Sequence, residues 1–201
     1  MKIWPSIASS NLLNLENEIS FVDKDYGNIH IDIEDGNYVP NITFGTKMME
    51  LICKGSTSKK SVHLMVTNQE HYIDSIVKCK INIVFLHLDN CRYPSELIGK
   101  FKNLGINVGI TLNPSVAIDN YIYLYPLVND ILIMMSEPDG LGQKYIPLME
   151  SKIIEASKFD NLRIWVDGGI TFEILPKLKD LNVSNVVMGR AIFNNRGERK
   201  G

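Results

Sequence analysis

Apolar positions fall into short, near-continuous runs separated by longer amphipathic stretches. The runs are 2–8, 28–33, 60–65, 81–87, 106–112, 130–135, 162–167 and 185–189. Near-continuous apolar runs of this kind predict strands covered on both faces. The stretches between them, 12–25, 45–54, 69–78, 94–103, 116–125, 145–158 and 171–181, predict helices. Gly105 reads as a cap after the fourth helix and Pro126 as the stop of the fifth, while Pro176 lies inside the last. Eight strands, each followed by a helix except the last, predict a TIM (β/α)8 barrel in one domain over residues 1–201. The chain is short for that fold, which typically takes about 250 residues. The eighth helix is therefore expected to be missing or reduced to a turn, leaving a flank for a partner subunit to cover. An open doubly wound sheet is the alternative. The barrel is preferred because it gathers the polar strand ends without any reversal of strand order.

Composition narrows the function classes. With 45% hydrophobic and 22% charged residues the chain is ordinary globular protein, and a formal net charge of -2 gives no attraction to nucleic acid or an anionic membrane. The N-terminus lacks the apolar core of a signal peptide, and no apolar run approaches the roughly 18 residues of a membrane span. Cys53, Cys79 and Cys91 are odd in number and form no CxxC pair, so they are read as free thiols in a reducing cytoplasm.

The chemistry lies at strand ends. In Ile29-His30-Ile31-Asp32-Ile33 the isoleucines share one face of a strand, and His30 and Asp32 share the other. His63 stands near the end of the third strand, and Asp167 ends the seventh, just before Gly168-Gly169. In a barrel these ends converge over one mouth. Two imidazoles and two carboxylates suit a single divalent ion: Zn²⁺, Fe²⁺, Mn²⁺ or Co²⁺. Glycines follow the last three strands, in Asp139-Gly140-Leu141-Gly142-Gln143, Gly168-Gly169 and Gly189-Arg190. Such positions let backbone N–H groups approach an anion, and phosphate sites in barrels commonly follow strands seven and eight. His87 and Asp89, at the end of strand four, are assigned supporting roles rather than metal ligation.

The chain resembles the ribulose-phosphate 3-epimerase family over nearly its whole length. The matching stretches are Pro5-Ser6-Ile7, His30-Ile31-Asp32 with Asp35-Gly36, Val39-Pro40-Asn41-Ile42-Thr43-Phe44-Gly45, His63-Leu64-Met65, Leu112-Asn113-Pro114, Gly142-Gln143, Val166-Asp167-Gly168-Gly169 and the stretch from Gly189 to Phe193. The resemblance implies that His30, Asp32, His63 and Asp167 bind one divalent metal and that Asp32 and Asp167 are the acid/base pair. It implies that Ser6, His63 and Met65 contact the substrate, and that Gly142, Gly168, Gly169 and Gly189 hold its phosphate. No lysine replaces His63, which argues against the related decarboxylases. Inverting the carbon next to a ketone needs proton removal on one face and return on the other, and two opposed carboxylates can do this while a metal stabilises the enediolate. No organic cofactor is needed.

The expected function is thus epimerisation at C3 of a ketose phosphate, by default D-ribulose 5-phosphate to D-xylulose 5-phosphate, by a cytoplasmic homo-oligomer. Its partner is a small phosphorylated sugar, with no nucleic acid and no membrane. Departures from the family pattern keep two alternatives open: an epimerase for a different ketose phosphate, and a non-catalytic metal- or sugar-phosphate-binding barrel. Glu34 stands where the family has a capping methionine, whereas Met65 and Met134 keep the other cap positions. Arg190 replaces a serine, and Pro138-Asp139-Gly140-Leu141-Gly142 replaces a Pro-Gly-Phe-Gly-Gly loop. Glu34 is the specificity candidate, and Arg190 is a candidate for the anion grip.

Overall fold

Eight parallel strands take up the eight apolar runs in a computed structural model that describes residues 1–138 and 144–194. They are β1 Lys2–Pro5, β2 Asn28–Glu34, β3 Lys59–Met65, β4 Ile83–His87, β5 Asn107–Leu112, β6 Asp130–Met134, β7 Arg163–Asp167 and β8 Asn185–Met188. The sheet runs β1-β8-β7-β6-β5-β4-β3-β2, and a single parallel bridge from Ser6 to His30 joins its two edges into a nearly closed barrel. Helices α1 Leu15–Asp25, α2 Thr46–Gly55, α3 Ile73–Lys78, α4 Pro94–Asn103, α5 Glu150–Ala156 and α6 Leu175–Asp180 cover the outside. The shortened eighth helix is one turn, α7 Arg190–Phe193.

Several elements differ from the sequence pattern for local reasons. The first strand stops at Pro5, and Ile7–Ser9 turn as a 3₁₀ helix instead of extending to Ala8. The helix expected over 116–125 is a 3₁₀ segment, Ile118–Leu127, that contains Pro126 rather than ending before it. Pro126 has no N–H to give an α-helical bond, and Tyr121 kinks the segment at φ -121°, ψ 16°. The Tyr125 hydroxyl donates to the Ile118 carbonyl at 2.6 Å and closes the turn. The helix expected over 145–158 shrinks to a 3₁₀ turn, Pro147–Met149, followed by α5. A residue preceding proline disfavours the helical region, so Ile146 is extended at φ -102°, ψ 102°. Pro176 sits in the first turn of α6, where a missing N–H costs nothing.

Strand alternation sorts the core into two parts. Ile29, Ile31, Ile33, Val62, Leu64, Ile110 and Ile131 face outwards and pack under the helices. Trp4, Ile83, Phe85, Leu132, Met134, Trp165 and Val187 fill the barrel. The indole of Trp165 packs 4.8 Å from both Trp4 and Phe85, centroid to centroid. Gly109 makes room for Phe85, since a Cβ at that position would collide with the edge of the Phe85 ring. The polar edges of the plug are satisfied. Trp4 Nε1 donates to Asn185 at 3.0 Å and Trp165 Nε1 to Asp130 at 2.8 Å, while Arg163 clamps Asp130 through two bonds of 2.9 and 2.6 Å. The lower barrel is therefore closed by large rings, and only its upper layer is left for polar side chains.

Candidate active site

The same alternation that aims the β2 isoleucines outwards aims His30, Asp32 and Glu34 into the barrel above the plug. His63 and Met65 enter from β3, His87 from β4 and Asp167 from the end of β7. One ligand atom from each of His30, Asp32, His63 and Asp167 lies within 4.8 Å of all the others. His30 Nε2 is 3.2 Å from Asp32 Oδ1, and His63 Nδ1 is 3.4 Å from Asp32 Oδ1 and 3.7 Å from Asp167 Oδ2. Bonds of about 2.0–2.1 Å to a tetrahedral ion would set neighbouring ligand atoms about 3.4 Å apart, so the spacing fits a zinc-sized cation. His63 Nδ1 is also buried with no hydrogen-bond partner among the described residues. An orphaned ring nitrogen facing two carboxylates fits a metal-binding role.

Hydrogen bonds orient the cluster. Ser6 Oγ donates to Asp32 Oδ2 at 2.5 Å. His30 Nδ1 lies 2.7 Å from Ser61 Oγ, which itself donates to the Ile29 carbonyl at 3.3 Å, so Ser61 accepts the Nδ1 proton of His30 and turns Nε2 towards Asp32. Electrostatics follow the same geometry. Burial opposes the charge on Asp32, yet His30 and His63 hold its carboxyl well below the usual range. Burial likewise opposes the charge on His63, but Asp167 and Asp32 push its imidazolium up to about 9.

Above this cluster opens a cleft of about 690 Å³ lined by Ser6, Glu34, Met65, Met134, Gly168 and Gly189, with Arg190 on its rim. Glu34 is 7% exposed, and its Oε2 accepts from Asn41 Nδ2 at 2.6 Å. Burial and then the Asp32 charge push its carboxyl up to about 7, against the pull of Asn41. On the opposite wall Gly168 and Gly169 have φ of +109° and +64°. A Cβ on Gly168 would collide with Ser136, one on Gly169 with the Tyr145 backbone and one on Gly189 with Ser9. Three bare backbone segments thus border one end of the cleft. Gly142, expected to join them, lies outside the described residues, as does Asp139–Gln143 as a whole.

His87 lies at the centre of a polar network whose extent is not apparent from any single motif. Its Nε2 is 2.8 Å from His63 Nε2, and the Tyr38 ring packs against it at 4.7 Å, tilted by 42°. The Tyr38 hydroxyl reaches both Asp89 oxygens at 3.1 Å and accepts from Asn113 Nδ2 at 2.7 Å. Asp89 thus supports a loop and does not join the metal-ligand cluster. The sequence signal for His87 is its position two residues past Phe85, on the inward face of β4.

Comparison with known proteins identifies the family of the chain. The model of the ribulose-phosphate 3 epimerase family matches residues 2–193, and the chain belongs to that family. It is 32% identical to the ribulose-phosphate 3-epimerase of Helicobacter pylori, over 99% of this chain and 94% of the relative. It is 30% identical to that of Bacillus subtilis, over 100% of this chain and 95% of the relative. Among solved structures it resembles the tryptophan synthase α-subunit of Pyrococcus furiosus, with a TM-score of 0.72 at 11% identity over 99% of this chain and 90% of the other. That likeness concerns the barrel fold alone.

Proposed function

We propose that the chain is a metal-dependent epimerase that inverts C3 of a ketose phosphate, with D-ribulose 5-phosphate and D-xylulose 5-phosphate as the reference pair. The observation that carries this reading is the meeting of Asp32 and Asp167, from strands on different sides of the mouth, around a shared His30 and His63. Carboxylates approaching from two sides can remove a proton from one face of a planar carbon and return one to the other. Asp32 is kept ionised by its histidines and oriented by Ser6, which suits it to accept a proton. Asp167 precedes the Gly168-Gly169 turn and is the partner that donates on the opposite face. His30, Asp32, His63 and Asp167 would hold one divalent ion, with Zn²⁺, Fe²⁺, Mn²⁺ and Co²⁺ all compatible with the donor set. Such an ion would supply positive charge to an oxygen gaining negative charge beside the reacting carbon. Gly168, Gly169 and Gly189, with Gly142 and Arg190, take the phosphate through backbone N–H groups and one guanidinium. Met65 and Met134 close over the sugar and exclude water.

Glu34 favours a second reading within this class, a specialised epimerase for another ketose phosphate. A nearly buried carboxylate facing the cleft with one hydrogen-bond donor, Asn41, has capacity left for sugar hydroxyls. Exposed Leu12, Leu13 and Leu51 support a homo-oligomer, and free Cys53, Cys79 and Cys91 support a reducing, cytoplasmic setting. Among the described residues no helix is long and apolar enough to cross a membrane.

The test is proton exchange in D₂O followed by NMR, with metal-loaded protein and D-ribulose 5-phosphate, then other ketose phosphates. Deuterium entering C3 together with conversion to the epimer is expected, with a drop of at least about 100-fold in Asp167→Asn. Exchange confined to a different ketose would move the assignment to the specialised reading. No exchange with any ketose phosphate would refute both.

A further inference from the structure

His63 presents two nitrogens to two different environments. Nδ1 faces Asp32 and Asp167, and Nε2 faces the Nε2 of His87 at 2.8 Å. Both rings are buried, with centroids 4.9 Å apart and planes within 22°. Two ring nitrogens that face each other at this distance can share only one proton, so the proton of one ring determines the tautomer of the other. If His87 donates, the His63 proton moves to Nδ1, which then cannot bind a cation. If His87 accepts, His63 keeps its proton on Nε2 and Nδ1 is bare.

We propose that His87 is a positioning residue: by accepting the Nε2 proton of His63 it keeps Nδ1 of His63 free to bind a divalent metal. This rests on the metal-site reading above. A metal-binding imidazole usually donates its remote N–H to a carboxylate, a carbonyl or water, and loss of such a partner weakens metal binding about 10- to 100-fold. Here the partner is a neutral imidazole. His30 is backed in the same way by the neutral hydroxyl of Ser61. Neither ring is made more basic by a carboxylate behind it, which leaves more of the cation's charge for the substrate.

The surroundings of His87 favour the accepting role. Gln69 Nε2 donates to the His87 carbonyl at 2.5 Å, and the Tyr38 ring packs against the imidazole at 4.7 Å, so backbone and ring are both in contact with fixed neighbours. Its Nδ1 is buried and without a partner among the described residues. So is Oγ1 of Thr111, which is in register with His87 across β4 and β5. With Nε2 accepting, the proton of His87 is on Nδ1, and the unpartnered Thr111 hydroxyl occupies the register position beside it on β5.

The experiment measures Co²⁺ dissociation constants by chelator competition for the unaltered protein, His87→Gln and His87→Leu. Gln places a carboxamide oxygen near the former Nε2 and can still accept, whereas Leu leaves the His63 N–H buried and unpaired. His87→Leu should bind Co²⁺ about 10- to 100-fold more weakly, and His87→Gln should stay within about 3-fold of the unaltered protein. A second measurement needs no variant. Long-range ¹H–¹⁵N correlation on the Zn²⁺-loaded protein should show the proton of His63 on Nε2 and that of His87 on Nδ1. Equal affinities for all three proteins, equal weakening by Gln and Leu, or a proton on His63 Nδ1 would each overturn the role of His87. Failure of the unaltered protein to bind Co²⁺ would instead overturn the metal site itself.

Discussion

Lowering the pH from about 9 to about 7 should weaken divalent-metal binding about 100-fold, because a proton and the metal compete for His63 Nδ1. The sign follows from the site. Without metal, the charged imidazolium is favoured by Asp167 and Asp32, which push its pKa up to about 9. A cation needs the neutral ring, so below that value each pH unit costs about tenfold in affinity, or about 1.4 kcal/mol. Chelator competition with Co²⁺ across this range gives the slope. Calorimetry in buffers of different ionisation enthalpy should find about one proton released per ion near pH 8 and almost none well above pH 9. The same proton governs the stability of metal-free protein. A folded pKa raised from 6.5 to about 9 contributes stability that is complete below 6.5 and lost as the pH rises through 9. The loss is on the order of 3 kcal/mol, and the metal-loaded protein should not show it. A flat affinity profile, after correction for the chelator, would mean that the imidazole is already neutral in the empty site and would refute the reasoning.

Three further substitutions separate the parts of the barrel. Glu34→Met should shift relative kcat/KM among ketose phosphates by about 10-fold or more, measured with a substrate panel, and unchanged ratios would remove Glu34 from specificity. Gly168→Ala sets a Cβ against Ser136 at a φ of +109° and should raise KM for the phosphorylated substrate while leaving Co²⁺ affinity within about 2-fold. An unaltered KM would count against the glycine wall as the anion site. Gly109→Ala should cost about 1–3 kcal/mol in urea unfolding by forcing Phe85 out of the plug, and a neutral result would show that the ring has room to move.

The legible part of this protein is the part determined by periodicity. Apolar runs mark all eight strands, and the alternation at Ile29 to Ile33 is enough to set His30 and Asp32 on one face. The Val116–Tyr125 stretch was illegible as 3₁₀ because its apolar spacing suits either helix, and the outcome depends on Pro126 and a kink at Tyr121. The contact of His87 with His63 depends on the stagger between two strands. Phe85, not His87, is in register with His63, and only the barrel's tilt brings the next inward residue of β4 to Nε2. The Asn41 bond to Glu34 depends on a loop that folds back through the Asp35–Ile42 bridge, which no periodicity encodes.

The division of the barrel into an apolar plug and a polar upper layer explains why proton and metal act as alternatives. Trp4, Phe85 and Trp165 close the lower barrel and keep bulk water from reaching the cluster from below. Four ionisable side chains, His30, Asp32, His63 and His87, are thereby held at 7% exposure or less. Charges in such a place are tolerated only when opposite charge is close. The Asp32 and Asp167 carboxylates can obtain it from a proton on His63 or from a dication among the four ligands. With a dication held there, both carboxylates would be balanced and His63 could give up its proton at the point where Nδ1 would be a ligand. His87 fits either condition without carrying charge itself, since burial and the neighbouring His63 hold its pKa well below the ordinary value. A carboxylate in its place would bind the His63 proton more strongly and make the ligand more basic, at the cost of a third negative charge beside Asp32 and Asp167. A neutral partner adds no negative charge next to Asp32 and Asp167, which is where the proposed proton transfer to and from a sugar carbon would need theirs.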